Sequence, residues 1–186
     1  MLQDMPAIAA IRASAGEPVD TVFAEVAAAL RPSGLRIGGV VQEEHRGSGG
    51  PRPVTRLRDL CDGTLMRISQ DLGRHARGCR LDPGALAAAA RRLEDTVATG
   101  VDLLILNRFG KSEAEGAGLR PIIERAIVTG VPVLTAVRAE YVDAWEDFHQ
   151  GMASWLPADP WAVLAWSRAA LRSGLAPAGV LDTATV

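Results

Sequence analysis

A chain of 186 residues with a formal charge of −2 and a pI near 5.9 can bury a sizeable core in one domain, and it lacks the basic excess of a nucleic-acid-binding protein. Hydrophobic residues make up 48% but aromatics only 4%, so that core is built from Ala, Leu, Val and Ile; no apolar run approaches the ~18–20 residues of a membrane span, and the N-terminus carries no charged-then-apolar signal. Two cysteines, Cys61 and Cys79, make no disulfide framework in a chain of this size. The expectation is a cytoplasmic protein, one domain over residues 1–186, with neither nucleic acid nor membrane among its partners.

The first element is a short strand, "AIAAIR" at 7–12, broken by Gly16 and Pro18. Val19, Val22, Phe23, Val26 and Leu30 follow at helical spacing, and "RPSG" at 31–34 ends that helix. "LRIGGVVQ", 35–42, reads as a second strand whose Gly38 and Gly39 suggest close backbone packing, and 43–53 as a polar loop. "VTRLRDL" and "LMRIS" alternate around "CDG" at 61–63, the pattern of a hairpin with one exposed face. Residues 71–79 read as a loop. Asp82-Pro83 is a helix N-cap and first position, Leu86, Ala90, Leu93 and Val97 are the apolar face, and Gly100 the stop.

A strand over 102–107, buried on both faces, runs into Asn107, Arg108, Lys111, Ser112, Glu113 and Glu115 around Gly110 and Gly116. A loop, a helix from about Gly118 ended by Gly130, and a buried strand at 131–137 come next. The tail reads as helical: "YVDAWEDFHQGM", then a helix opened by Asp159-Pro160. Doubly buried strands alternating with helices imply an α/β three-layer domain: a mainly parallel sheet covered on both faces, an attached β-hairpin and a helical C-terminal tail. Ligands of open parallel sheets lie beyond the carboxyl ends of the strands, which here means segments 13–18, 43–53, 107–117 and 138–141.

The strand, small-residue loop and helix at the N-terminus, the "GGVVQEEHRGSG" strand, the "RLRDLCDG" hairpin, "VDLLILNRFGKSEAEG" and "GVPVLTAV" resemble, in this order, the small THEP-type nucleoside-triphosphatases of the P-loop class. More specifically, "ISQDLG" at 68–73, "GCRLDPGAL" at 78–86, "NRFGKSEAEGAGLR" at 107–120 and "PVLTAV" at 132–137 resemble the bacterial domain-of-unknown-function family 2478, whose members are met near molybdate-uptake genes. The resemblance implies a P-loop-like fold. The motifs depart from a working phosphate loop, which needs G-x-x-x-x-G-K-[ST]. "RASAGEPVDT" at 12–21 has no lysine, Val19 and Asp20 fall where lysine and hydroxyl belong, Pro18 removes an amide donor, and Glu17 and Asp20 add negative charge. Asn107 and Arg108 stand where the triphosphatases carry an acidic pair for metal and water; an amide is a poor Mg²⁺ ligand and arginine no general base.

The expected activity is therefore binding of a small anionic ligand, a nucleotide or an oxyanion such as molybdate or phosphate, in a sensing, carrier or accessory role. The alternatives are a triphosphatase or phosphotransferase rebuilt around Lys111, Glu113 and Arg108, and an interaction module in metal-cofactor handling. The candidate ligand-binding set is Asn107, Arg108, Gly110, Lys111, Glu113, Arg80, Cys79, Ser14 and Gly16. Lys111 is the single lysine beside nineteen arginines, and either joins Arg108 as an anion-binding pair or orders the loop through Glu113 or Glu115. Glu113 and Glu115 either contact ligand or cap and solvate. Cys79, between Arg77 and Arg80 with His75 nearby, is either a thiolate favoured by its positive neighbours or a small buried anchor. No metal-site spacing is present, and no cofactor is identified. Trp145, Trp155, Trp161 and Trp166 lie in the last 42 residues, and either pack over the sheet or form a homodimer surface. Helix 1 is expected to begin near Val19 with its N-terminus toward residues 107–113, and a bound anion to lie nearer Arg108 and Lys111 than Gly16.

Overall fold

The computed structural model describes residues 8–14, 16–45, 53–70 and 81–174. Strand β1 (Ile8–Ala13) leads into helix α1 (Val19–Leu30); β2 (Ile37–His45), β3 (Val54–Asp59) and β4 (Leu65–Arg67) follow, then α2 (Pro83–Thr99) and β5 (Leu103–Leu106). Short α3 (Lys111–Ala114), α4 (Arg120–Val128), β6 (Val133–Arg138), α5 (Val142–His149), β7 (Ala153–Leu156) and α6 (Pro160–Gly174) complete the chain order. Among the described residues, seven strands form one sheet in the order β4-β3-β2-β5-β6-β1-β7. β2, β5, β6, β1 and β7 are parallel neighbours, and β3 and β4 add antiparallel at one edge.

The apolar runs explain the layering. Successive strand residues point to opposite faces, so a run without alternation needs cover on both. Ile11, Ile105 and Leu134 face α1 and α6, where Phe23, Val26 and Trp166 meet them. Ala10, Leu104 and Val133 face α2, α4 and α5, where Leu93, Ile122 and Trp145 close the second core. A side chain of this kind contributes about 1.5–3 kcal/mol when fully buried, so the two layers supply most of the stability. Gly39 sets how closely β2 approaches β5: at φ +118 it has no room for a Cβ, which would overlap the Ile105 carbonyl.

Local signals act where the sequence places them. Asp82 accepts hydrogen bonds from the Gly84 and Ala85 amides at 2.8 and 3.1 Å, with Pro83 at the first helical position. Asp159 accepts from Ala162 N at 2.8 Å and opens α6.

Three expectations need correction. β2 extends to His45 because it continues pairing with β3, His45 opposite Val54, where a loop was expected from residue 43. The segment after β5 contains the one-turn helix α3. The helical tail is interrupted by β7, which pairs parallel with β1 from Ile8↔Ala153 to Ile11↔Leu156. Gln150 in the left-handed region and Gly151 end α5 and turn the chain into that strand.

Of the four tryptophans, Trp145 and Trp166 are buried, Trp155 is half-buried, and Trp161 is 79% exposed. Among the described residues, no helix is long and apolar enough to cross a membrane.

Candidate functional site

The carboxyl ends of β1 and β5 converge at the start of α1. Between β1 and α1 the described residues bond to one another: Ser14 N donates to Glu17 Oε2 at 2.6 Å, Glu17 N to Ser14 O at 3.2 Å, and Val19 N to Glu17 O at 2.9 Å. Pro18 has no N–H to offer. A carboxylate of the chain thus takes the Ser14 amide, and those of Glu17 and Val19 turn inward, where a phosphate loop would aim its amides at a ligand.

Asp20, in the first turn of α1, is the centre of the arrangement. Its Oδ1 accepts from Gln42 N at 2.8 Å and from the Asn107 side-chain amide, and its Oδ2 from Arg108 Nη2 at 3.3 Å. Three donors, from β2 and from the two residues after β5, converge on one carboxylate. Asn107 is buried, whereas the Asp20 and Arg108 side chains are 23% and 28% exposed. Arg108 Nε is buried with no hydrogen-bond partner among the described residues. The backbone around Arg108 is held firmly: Phe109 N donates to Ala136 O at 2.8 Å, and its ring stands edge-on to buried Trp145 with centroids 5.1 Å apart.

Glu113 has a different part. Its side chain is buried, and its two oxygens accept from Gly110 N and Leu119 N, each at 2.9 Å, tying the start of α3 to the start of α4. A base that activates water needs a free oxygen, and both of these are engaged by amides. Gly118, at φ +61, is required beside it, because a Cβ there would overlap the Glu113 carboxylate. Lys111 is 74% exposed and pairs with Glu115 at 3.7 Å, four residues along. At the end of β6, Arg138 reaches Glu140 at 3.9 Å.

The structure therefore brings Asn107 and Arg108 together at one point, joins Gly110 to Glu113 in a capping arrangement, and places Ser14 and Gly16 between β1 and α1. Cys79, Arg80 and His75 lie outside the described residues. Sequence reasoning missed Asp20 as the hub and Gln42 as its backbone partner. The sequence marked Asp20 only as negative charge in the degenerate loop; an acid in the first turn of a helix is ordinary, favoured by the helix dipole, and nothing local pointed to its partners. Among the described residues, no group of three or more His, Cys, Asp or Glu side chains is placed to share a metal ion. A groove of about 190 Å³ lined by Leu35, Val101, Asp102, Gly130, Pro132 and Leu171 lies at the amino ends of the strands, the opposite edge of the sheet.

Against this geometry, residues 8–166 match the family described as "Protein of unknown function (DUF2478)". A segment of the molybdenum import ATP-binding protein ModC 2 of Bradyrhizobium diazoefficiens is 37% identical over 161 residues. That match covers 87% of this chain but 18% of the relative, so the chain spans less than a fifth of the length of the protein it resembles. No solved structure matches. The chain belongs to the DUF2478 family.

Proposed function

We propose that this protein is a non-hydrolysing relative of P-loop triphosphatases that binds a small tetrahedral oxyanion, of which molybdate is the leading case, as an accessory to molybdenum import. The observation that carries the reading is the Arg108 guanidinium beside the Asn107 carboxamide at the carboxyl end of β5, reachable from solvent and with a buried Nε lacking a partner among the described residues. Guanidinium and amide donors in one place are the chemistry of oxyanion recognition. Lys111 follows Arg108 by three residues; its exposed pair with Glu115 is worth only about 0.3–0.5 kcal/mol, so releasing it to an anion would cost little.

The Glu17 carboxylate on the Ser14 amide supports an oxyanion over a nucleotide, since negative charge already sits where a phosphate loop would hold a triphosphate chain. The name of the relative supplies the molybdenum connection. Isothermal titration with molybdate, tungstate, sulfate, phosphate and ATP tests the reading. Saturable molybdate binding that weakens at least tenfold in Arg108→Gln is expected. Tight ATP binding, or phosphate release from Mg-ATP that Lys111→Ala abolishes, overturns it.

A second reading has its own support. The relative joins a segment like this chain to a much longer polypeptide named for ATP binding in molybdenum import. Segments fused in one protein often contact one another as separate chains, so this chain is a candidate to dock on such an ATP-binding subunit. Co-purification with that subunit, at unchanged yield with and without molybdate, would favour docking over anion binding as the primary role.

A further inference from the structure

We infer that Asp20 is a resident counter-anion that occupies the oxyanion site and sets both its affinity and its preference for ligand charge. This inference rests on the proposed anion-binding role of Arg108 and Asn107.

The donors that meet Asp20 come from separate places in the chain: the Gln42 amide of β2, the Asn107 carboxamide and the Arg108 guanidinium. Together they form the set that would hold two oxygens of an external anion, and a carboxylate of the protein already fills it. The occupancy is incomplete. Arg108 gives Asp20 a single bond at 3.3 Å, longer than the ~2.7–2.9 Å of a strong charge-assisted pair, and lacks the second parallel bond of a bidentate pair. Its Nε is buried and unpartnered among the described residues, so donor capacity remains beside the carboxylate. Both side chains are partly open to solvent, so a small anion can reach them.

Removing the charge of Asp20 should then strengthen anion binding, and by an amount that depends on ligand charge. Coulomb repulsion scales with the charge of the incoming ion, so a dianion loses twice the free energy that a monoanion loses at the same distance. Molybdate and perrhenate are tetrahedral oxyanions of similar shape with charges of −2 and −1. A purely structural Asp20, serving α1 or the β2 contact, predicts no difference between them.

The test is calorimetric titration of wild type, Asp20→Asn and Asp20→Ala with molybdate and with perrhenate. Asp20→Asn keeps an oxygen for Gln42 N and Asn107, so its fold is expected to survive; Asp20→Ala is the second variant, and a cooperative melt checks both. The expected result is a Kd for molybdate about tenfold lower in Asp20→Asn, and for perrhenate about threefold lower, with the gain lost in Asp20→Asn/Arg108→Gln. Molybdate binding in the variants alone supports the inference in its strongest form, a site closed until Asp20 moves. Wild-type binding that stays equal or weakens in both variants, or equal gains for the two anions, overturns the counter-anion role and leaves the anion-binding reading standing. No binding of either anion at millimolar concentration by any of the three folded proteins overturns both.

Discussion

Two arginine–carboxylate centres in this molecule differ in how completely the arginine is held. In the hairpin, Arg92 of α2 reaches the buried Asp59 through Nε at 2.6 Å and Asp62 through Nη2. Asp59 is 1% exposed, and its other oxygen accepts from Cys61 N at 2.7 Å. Asp59, more than Asp62, raises the pKa of Arg92, as expected of a guanidinium gripped from two sides. At the sheet edge, Arg108 makes one long bond to a partly exposed Asp20 and leaves Nε unpartnered among the described residues. The first centre fastens the β3–β4 hairpin to α2. The second has donor capacity in reserve, which distinguishes a candidate site from a structural clamp.

The sharpest way to break this contrast is Asp59→Ala. Leaving a buried charge pair without one partner costs about 3–5 kcal/mol, and the half-exposed Arg92 places this case near the lower end, at about 3 kcal/mol in urea unfolding. Asp20→Asn should cost less than about 1 kcal/mol by the same measurement, because its pair is reachable by water. Equal losses at the two positions would erase the distinction.

Next in size is Glu113→Ala, which strips acceptors from two amides at the junction of α3 and α4. A loss of about 2 kcal/mol is expected, with hydrogen exchange at Gly110 and Leu119 accelerated before the rest of the chain. Unchanged protection of those amides would mean that water replaces the carboxylate freely.

A smaller effect is carried by pH. The Thr64 amide and hydroxyl first, and Arg92 with them, hold the Asp62 carboxyl down from its ordinary 3.8 to about 2. A depressed carboxylate stabilises the fold fully above the unfolded value and ceases to do so as pH falls through the folded one. Its contribution should therefore fade between about pH 4 and pH 2. Asp62→Asn should flatten the acid limb of a melting-temperature profile in that window, and an unaltered limb would assign the acid sensitivity to other carboxylates. The smallest change expected is Lys111→Ala, within about 0.5 kcal/mol of wild type in stability, since its pair is exposed.

What the sequence made legible was local. Asp82-Pro83 announces α2 because the cap and the proline act within three residues. The runs around Leu104 and Leu134 announce interior strands because both faces are apolar. Asn107 and Arg108 stood out because charge at the mouth of a buried strand is unusual. The hub was not legible: Asp20 meets them across 87 and 88 residues, and no local pattern records such a meeting. Nor was β7, four half-buried residues with neither alternation nor a continuous apolar run, whose strand character comes from pairing with β1. Glu113 was open to a ligand role because its two donors lie on either side of it, Gly110 three residues before and Leu119 six after, and the second lies beyond the helix that Glu113 belongs to.

The interior position of β1 has a consequence for how the protein is made. Its two neighbours, β6 and β7, come from residues 133–138 and 153–156, so β1 is made before the other described strands and waits longest for its partners. At about 5–20 residues per second, the 120 residues between Ala13 and Val133 take roughly 6–24 s to synthesise. Throughout that interval an almost wholly apolar strand has no sheet to join, while β2, β3 and β4 can already pair. The loop and helix start that carry Asp20 are therefore fixed late, when β6 arrives and β1 is drawn in alongside it.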